Sequence, residues 1–77
     1  MKISRNEAIK ITRELDLTKY LAFDSQQTAS NATEYLYQLN GLLRTLQLLN
    51  ITYNFNGDKY KILCQDGSWA CATDKED

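Results

Sequence analysis

The stretch ITYNFNGDKYKILCQDGSWAC, residues 51–71, decides the fold of this 77-residue chain. Apolar and polar residues alternate along it with a period of two, the spacing at which the side chains of a β-strand reach one face. Asn56-Gly57 and Asp66-Gly67 interrupt the alternation, and both dipeptides favour two-residue hairpin turns because they tolerate positive φ. The stretch therefore predicts a three-stranded antiparallel meander.

The turn positions also predict which residues pair in the first hairpin. A two-residue turn at positions 56 and 57 places Tyr53 opposite Tyr60. Ile51 then lies opposite Ile62 in the same ladder. This register puts the large apolar residues of both strands on one face.

The second turn predicts that Cys64 lies opposite Trp69 and that Ile62 lies opposite Cys71. Trp69 is then a core residue. The two cysteines share a face but lie diagonally, about 7–8 Å apart, which is a poor starting geometry for a disulfide. We expect two reduced, buried cysteines.

A first helix is predicted from the capping-box pattern of Ser4 and Glu7, whose side chains can satisfy the exposed amides at a helix start. It should begin near Arg5 and end between Leu15 and Tyr20. Residues 17–23 fit either a continuing helix or a short extended connection, and the helix is favoured. Residues 24–27 fit a polar turn, and Thr28 or Ser30 can cap a second helix after it.

The second helix is predicted from about Thr28 to Leu49. Its apolar residues recur at the 3-4-3 spacing of a buried helix face: Leu36, Leu39, Leu43 and Leu46. Because this face is strongly apolar, we expect the second helix to cover the sheet. Gly41 weakens the helix, and a break at Asn40-Gly41 stays open.

These elements predict an α+β fold, with two helices packed on one face of a three-stranded antiparallel β-meander. At this length the chain makes one domain, which we place at residues 1–73. Residues 74–77 form a short acidic tail that we expect to fray. No apolar run approaches the roughly 18 residues that a membrane span needs, and the polar start favours a cytoplasmic protein without a membrane segment.

The composition excludes several functions. Nine Lys and Arg residues against ten Asp and Glu residues give a formal net charge of -1, so no basic field favours nucleic acid. Histidine, the usual acid/base group near neutral pH, is absent, and two cysteines are too few for a structural zinc site. We expect no catalysis, no cofactor and no metal.

A protein partner remains as the most consistent expectation, with the chain acting as a small inhibitor, regulator or phage-like accessory protein, monomeric or weakly dimeric. Its candidate binding residues lie on one face of the second helix, away from the leucine seam: Tyr37, Asn40, Arg44 and Leu48. Tyr and Arg are enriched in binding hot spots. A second candidate surface is the outer face of the sheet, with Lys59, Lys61 and Leu63.

The alternative function is nucleic-acid binding by a winged helix, which a break at Gly41 would allow by giving three helices before a hairpin. Residues 42–49 would be the recognition helix and residues 56–59 the wing. Only Arg44, Thr45 and Gln47 could then reach base edges. This sparse set makes nucleic acid the weaker expectation.

Overall fold

The computed structural model describes residues 3–24 and 29–76, and its elements confirm the α+β class. Residues 25–27 of the predicted turn and Thr28 lie outside the described residues. The elements in chain order are helix α1 (Arg5–Lys19), a π-helical turn (Tyr20–Asp24), helix α2 (Ala29–Leu48) and strands β1 (Tyr53–Phe55), β2 (Tyr60–Leu63) and β3 (Trp69–Cys71). The strands form one antiparallel sheet in the order β1-β2-β3.

Helix α1 begins where the capping box predicts. The Ser4 hydroxyl accepts the Glu7 backbone N–H at 3.2 Å and donates to the Glu7 carboxylate at 3.0 Å. The helix buries one face completely, including Ile9, Thr12 and Leu15. The Thr12 hydroxyl donates to the Ile9 carbonyl at 2.8 Å, so the buried polar group is satisfied within the helix.

The helix that covers the sheet is α1, and the prediction that α2 does so was wrong. Helix α1 contacts β2 and β3, whereas the main contacts of α2 are with α1 and the π-helical turn. The leucine seam correctly indicated that one face of α2 is buried, but it did not indicate which element that face packs against. Part of the face that α1 buries is formed by Ala8 and Thr12, which carry little hydrophobic signal.

Helix α2 is continuous through Gly41, so the three-helix order of a winged helix does not occur in the described part of the chain. Leu39 and Leu46 are buried and Leu36 and Leu43 are half-buried, which confirms the seam. Ala29 begins the described helix, so Ser30 lies inside it and is not its cap.

The end of α2 is a Schellman motif. Asn50 has a φ of 57°, the left-handed region that this motif needs. Its N–H donates to Gln47 O at 3.1 Å, and the Ile51 N–H donates to Leu46 O at 2.9 Å. Ile51 and Leu46 are both buried, which supplies the hydrophobic contact that accompanies such a cap.

The register of the first hairpin differs from the prediction by two residues, because Tyr53 lies opposite Ile62 and not opposite Tyr60. A shift of two residues leaves every side chain on its predicted face. Tyr60 and Ile62 are indeed buried.

The cause of this shift lies in the turn itself. Its two central residues are Gly57, with a φ of 96°, and Asp58, one position later than predicted. Asn56 closes the turn by donating its N–H to Lys59 O at 3.3 Å. The Asn56 side-chain oxygen accepts the N–H groups of Asp58 and Lys59, both at 2.9 Å.

The second hairpin differs by one residue, which reverses the faces of β3. Its loop holds three residues, 65–67, because Cys64 N–H bonds Ser68 O at 2.8 Å and Gly67 N–H bonds Cys64 O at 3.0 Å. Gly67 has a φ of 87°. A type I turn followed by a left-handed glycine is a common three-residue hairpin loop.

The extra loop residue moves Trp69 out of the core. Ile62 lies opposite Ala70, and Leu63 lies opposite Trp69. Ala70 is buried and Trp69 is 44% exposed. The predictions that Trp69 is a core residue, opposite Cys64, and that Cys71 pairs with Ile62 were therefore wrong.

The same shift separates the cysteines. Cys64 is buried on the face toward α1, while Cys71 pairs with Lys61 on the outer face. The predicted shared face was wrong. A sheet lies between the two free thiols, so they are not placed to form a disulfide within the chain.

The described part of the C-terminal segment, up to Glu76, contacts α1 through side-chain bonds. Asp74 accepts a hydrogen bond from Arg5 at 3.0 Å and one from the Cys71 N–H at 3.0 Å. Arg13 donates to Ala72 O at 3.2 Å and pairs with Glu76 at 3.4 Å. These arginines join the first helix to the last described residues.

Candidate functional site

One candidate surface is the exposed stripe of α2 that the sequence indicates. Tyr37, Asn40, Arg44 and Leu48 are all exposed, and Tyr37 and Leu48 are the most exposed large apolar residues described, at 72% and 77%. A separation of eleven residues is just over three helical turns. Tyr37 and Leu48 therefore lie on the same side of α2, with Arg44 between them.

Gly41 lies in the same stripe and faces open space. No heavy atom lies within 4 Å of the position that a Cβ would take there. Packing within the chain thus gives no reason for a glycine at this site. The Thr45 hydroxyl donates to the Gly41 carbonyl at 2.9 Å, so the helical backbone is additionally bonded at this point.

The other candidate surface is the outer face of the sheet, which the sequence indicates only in part. Lys61 is exposed and Leu63 is half-buried on the side of β2 away from α1, and Lys59 is exposed in the turn before it. The reversed faces of β3 add Trp69 to this surface. Asn54, Lys61 and Trp69 line an open groove of about 320 Å³.

Sequence reasoning missed Trp69, although one local signal was present. The Asp66 carboxylate accepts the Ser68 N–H at 2.9 Å and the Ser68 hydroxyl at 2.6 Å. These two bonds hold the pKa of Asp66 below its usual value. They close a loop in which Gly67 is the third residue, so Asp-Gly-Ser indicates the longer loop better than Asp-Gly alone does.

Donor groups predominate on the groove wall. Lys61 carries an ammonium group, and the Trp69 indole and Asn54 amide both have N–H donors. Asp74 is the neighbouring acid, and its pKa is lowered first by the hydrogen bonds from Cys71 and further by the charges of Arg5 and Lys61. Asp74 also pairs with Arg5 at 3.0 Å.

A titratable cluster lies on the opposite side of the sheet, where α1 meets β2. Asp16 is half-buried and accepts the Tyr60 N–H at 3.1 Å. Burial raises the pKa of Asp16, while the bond from Tyr60 opposes the rise. Burial also raises the pKa of Tyr60. The bond joins helix to strand, which explains the cluster as a structural contact.

The described residues contain no group of three or more His, Cys, Asp or Glu side chains placed to hold a metal ion. None of the helices in the described ranges is long and apolar enough to cross a membrane. Comparison with protein families, curated proteins and solved structures gives no match to this chain.

Proposed function

We propose that this protein is a non-catalytic protein-binding module that holds an extended acidic segment of its partner on the outer face of the sheet. The single observation that carries the proposal is the position of Trp69. A tryptophan that the hydrophobic pattern assigns to the core lies instead on the surface, beside a groove. Tryptophan is among the residues most enriched in binding hot spots.

The chemistry of the groove favours a carboxylate. An acidic side chain placed between Lys61 and Asn54 would receive a charge-assisted hydrogen bond from the lysine. The Trp69 ring would cover the aliphatic part of that side chain and exclude water. Lys59 lies in the turn at the end of the same strand and is exposed, so further acidic residues along the partner would meet a second cation.

The stripe on α2 is the other surface open to a partner. Its residues form a row along one helix, which suits a second helix better than an extended segment.

Tryptophan fluorescence tests the proposal directly, because Trp69 is the single tryptophan of the chain. The probes are a short glutamate-rich peptide, a lysine-rich peptide of equal length and a single-stranded oligothymidylate. We expect a saturable change of emission with the glutamate-rich peptide alone, weakening as salt is added.

Charge reversal provides the control. Lys61→Glu should abolish the response, whereas Lys10→Glu makes the same charge change on the exposed side of α1 and should leave it intact. If both variants lost the fluorescence response equally, the response would depend on the net charge of the protein and not on Lys61. A response to oligothymidylate but not to the acidic peptide would refute the proposal in favour of nucleic-acid binding.

A further inference from the structure

Four exposed residues on the stripe side of α2 are spaced symmetrically. Glu34, Tyr37, Gly41 and Arg44 follow one another at spacings of three, four and three residues, and all are exposed. This is the spacing of the seam positions of a coiled coil. It lies on the side of α2 away from Leu39 and Leu46, which are buried.

The spacing of three, four and three residues is the same in both chain directions, so two copies of α2 can pair antiparallel with these positions in register. When a second α2 lies antiparallel with the stripes in contact, Tyr37 falls opposite the partner's Gly41. Glu34 falls opposite the partner's Arg44. By two-fold symmetry each of these contacts occurs twice.

In the first contact, the large Tyr37 side chain lies against Gly41, which has no side chain. The space above Gly41 is open, and a glycine lets a neighbouring helix approach the backbone closely. Glycine weakens a helix interior relative to alanine. Packing of the partner's Tyr37 ring on the backbone at position 41 would explain why a glycine stands there, which packing within one chain does not explain.

The second contact joins opposite charges. Within residues 3–24 and 29–76 neither Glu34 nor Arg44 forms an ion pair, whereas Arg5 and Arg13 both do. The antiparallel arrangement gives each of these two residues a partner of opposite sign. A parallel arrangement would place like residues together and would set the arginines against each other.

We propose that the protein self-associates through α2, in an antiparallel pair that seats each Tyr37 ring on the partner's Gly41 and joins each Glu34 to the partner's Arg44. Leu48 then lies beside the first turn of the partner's helix. The pair uses no residue of the outer sheet face, so a dimer would carry two binding surfaces for acidic segments.

Sedimentation equilibrium of the full chain from micromolar to millimolar concentration tests this proposal. The wild type should rise with concentration from the 8.9 kDa chain mass toward twice that value. Arg44→Glu and Glu34→Arg should each remain monomeric, because each sets like charges against one another. An equimolar mixture of the two variants should recover association, since both contacts between positions 34 and 44 then join opposite charges.

Gly41→Ala separates this interface from general stability. The methyl group has free space in the single chain, so the thermal midpoint should rise at a dilution where the chain is monomeric. Self-association should nevertheless fall, because the methyl occupies the place of the partner's Tyr37 ring. Glu14→Arg, an exposed charge reversal on α1, is the matched control and should associate as the wild type does. A wild type that is monomeric at every concentration, or a mixture that fails to associate, would overturn the proposal.

Discussion

Leu63 and Trp69 lie opposite each other across β2 and β3, on the face of the sheet that α1 does not cover. This pairing depends on one extra residue in the loop between the strands. With a two-residue loop, Trp69 would point toward α1, and the outer face would carry Ala70 in its place, beside Asn54, Lys61 and Leu63. The loop therefore places Trp69 on the outer face of the sheet and Ala70 in the core.

Two identical substitutions at glycine should have opposite effects on folding. Gly41→Ala should raise the free energy of unfolding by about 0.5–1 kcal/mol, because the helix interior favours alanine and nothing obstructs the methyl group. Gly67→Ala should lower it by about 1–2 kcal/mol, because φ there is 87°. Urea unfolding measures both at a dilution where the chain is monomeric. Effects of the same sign would contradict the assigned loop.

Two leucines of α2 should differ sharply when truncated. Leu39 is buried, and Leu39→Ala should cost about 2–5 kcal/mol through lost burial and a cavity. Leu48 is exposed, and Leu48→Ala should stay within about 0.5 kcal/mol. Denaturant unfolding of the two variants compares the same chemical change on opposite sides of one helix. Similar losses would mean that α2 is oriented differently.

Asp16 should make stability fall as the pH rises. Its pKa is raised in the folded state, chiefly by burial, so the native protein binds this proton more tightly than the unfolded chain does. Its contribution is full below the ordinary value of 3.8 and is lost as the pH rises through the raised pKa. Asp16→Asn stays neutral and can still accept the Tyr60 N–H.

The stability of Asp16→Asn relative to the wild type should therefore increase as the pH rises from below 3.8 to neutral. Urea unfolding at several pH values measures this difference. Asp16→Ala is the control, because it removes the acceptor from Tyr60 and should cost about 1–3 kcal/mol. A difference that shrinks with rising pH would contradict the assignment.

Asp74 should anchor the C-terminal segment above acidic pH. Its pKa is lowered in the folded state by the bonds from Cys71, so its contribution is present above 3.8 and is lost as the pH falls through the lowered value. Asp74→Ala should speed hydrogen exchange of the Cys71 amide, which donates to that carboxylate. Exchange equal to that of the wild type would mean that the anchor is not held in solution.

The sequence predicts where the helices and strands lie better than it predicts which residues they pair with or pack against. Ser4 and Glu7 define the start of α1 because capping is local, and both glycine turns lie where the alternation is interrupted. The partner of each strand residue depends on the length of each loop. Asn56 and Asp66 set those lengths through side-chain bonds to nearby amides, which the dipeptides alone do not specify.

The two surfaces differ in the same way. The exposed face of α2 follows from helical spacing alone, so Tyr37, Asn40, Arg44 and Leu48 could be placed together from the sequence. The outer sheet face needed the register of β3, and an error of one residue there removed Trp69 from it. A helix face depends on one element, whereas a sheet face depends on every loop between its strands.

Amide chemical-shift mapping with the glutamate-rich peptide tests the central claim most directly, because it reports on every surface at once. We predict that the shifts cluster on the outer sheet face, at Asn54, Lys61, Leu63 and Trp69, while the amides of α2 do not move. Shifts confined to Tyr37 and Arg44, or no shift at saturating peptide, would contradict the claim that the sheet binds the partner.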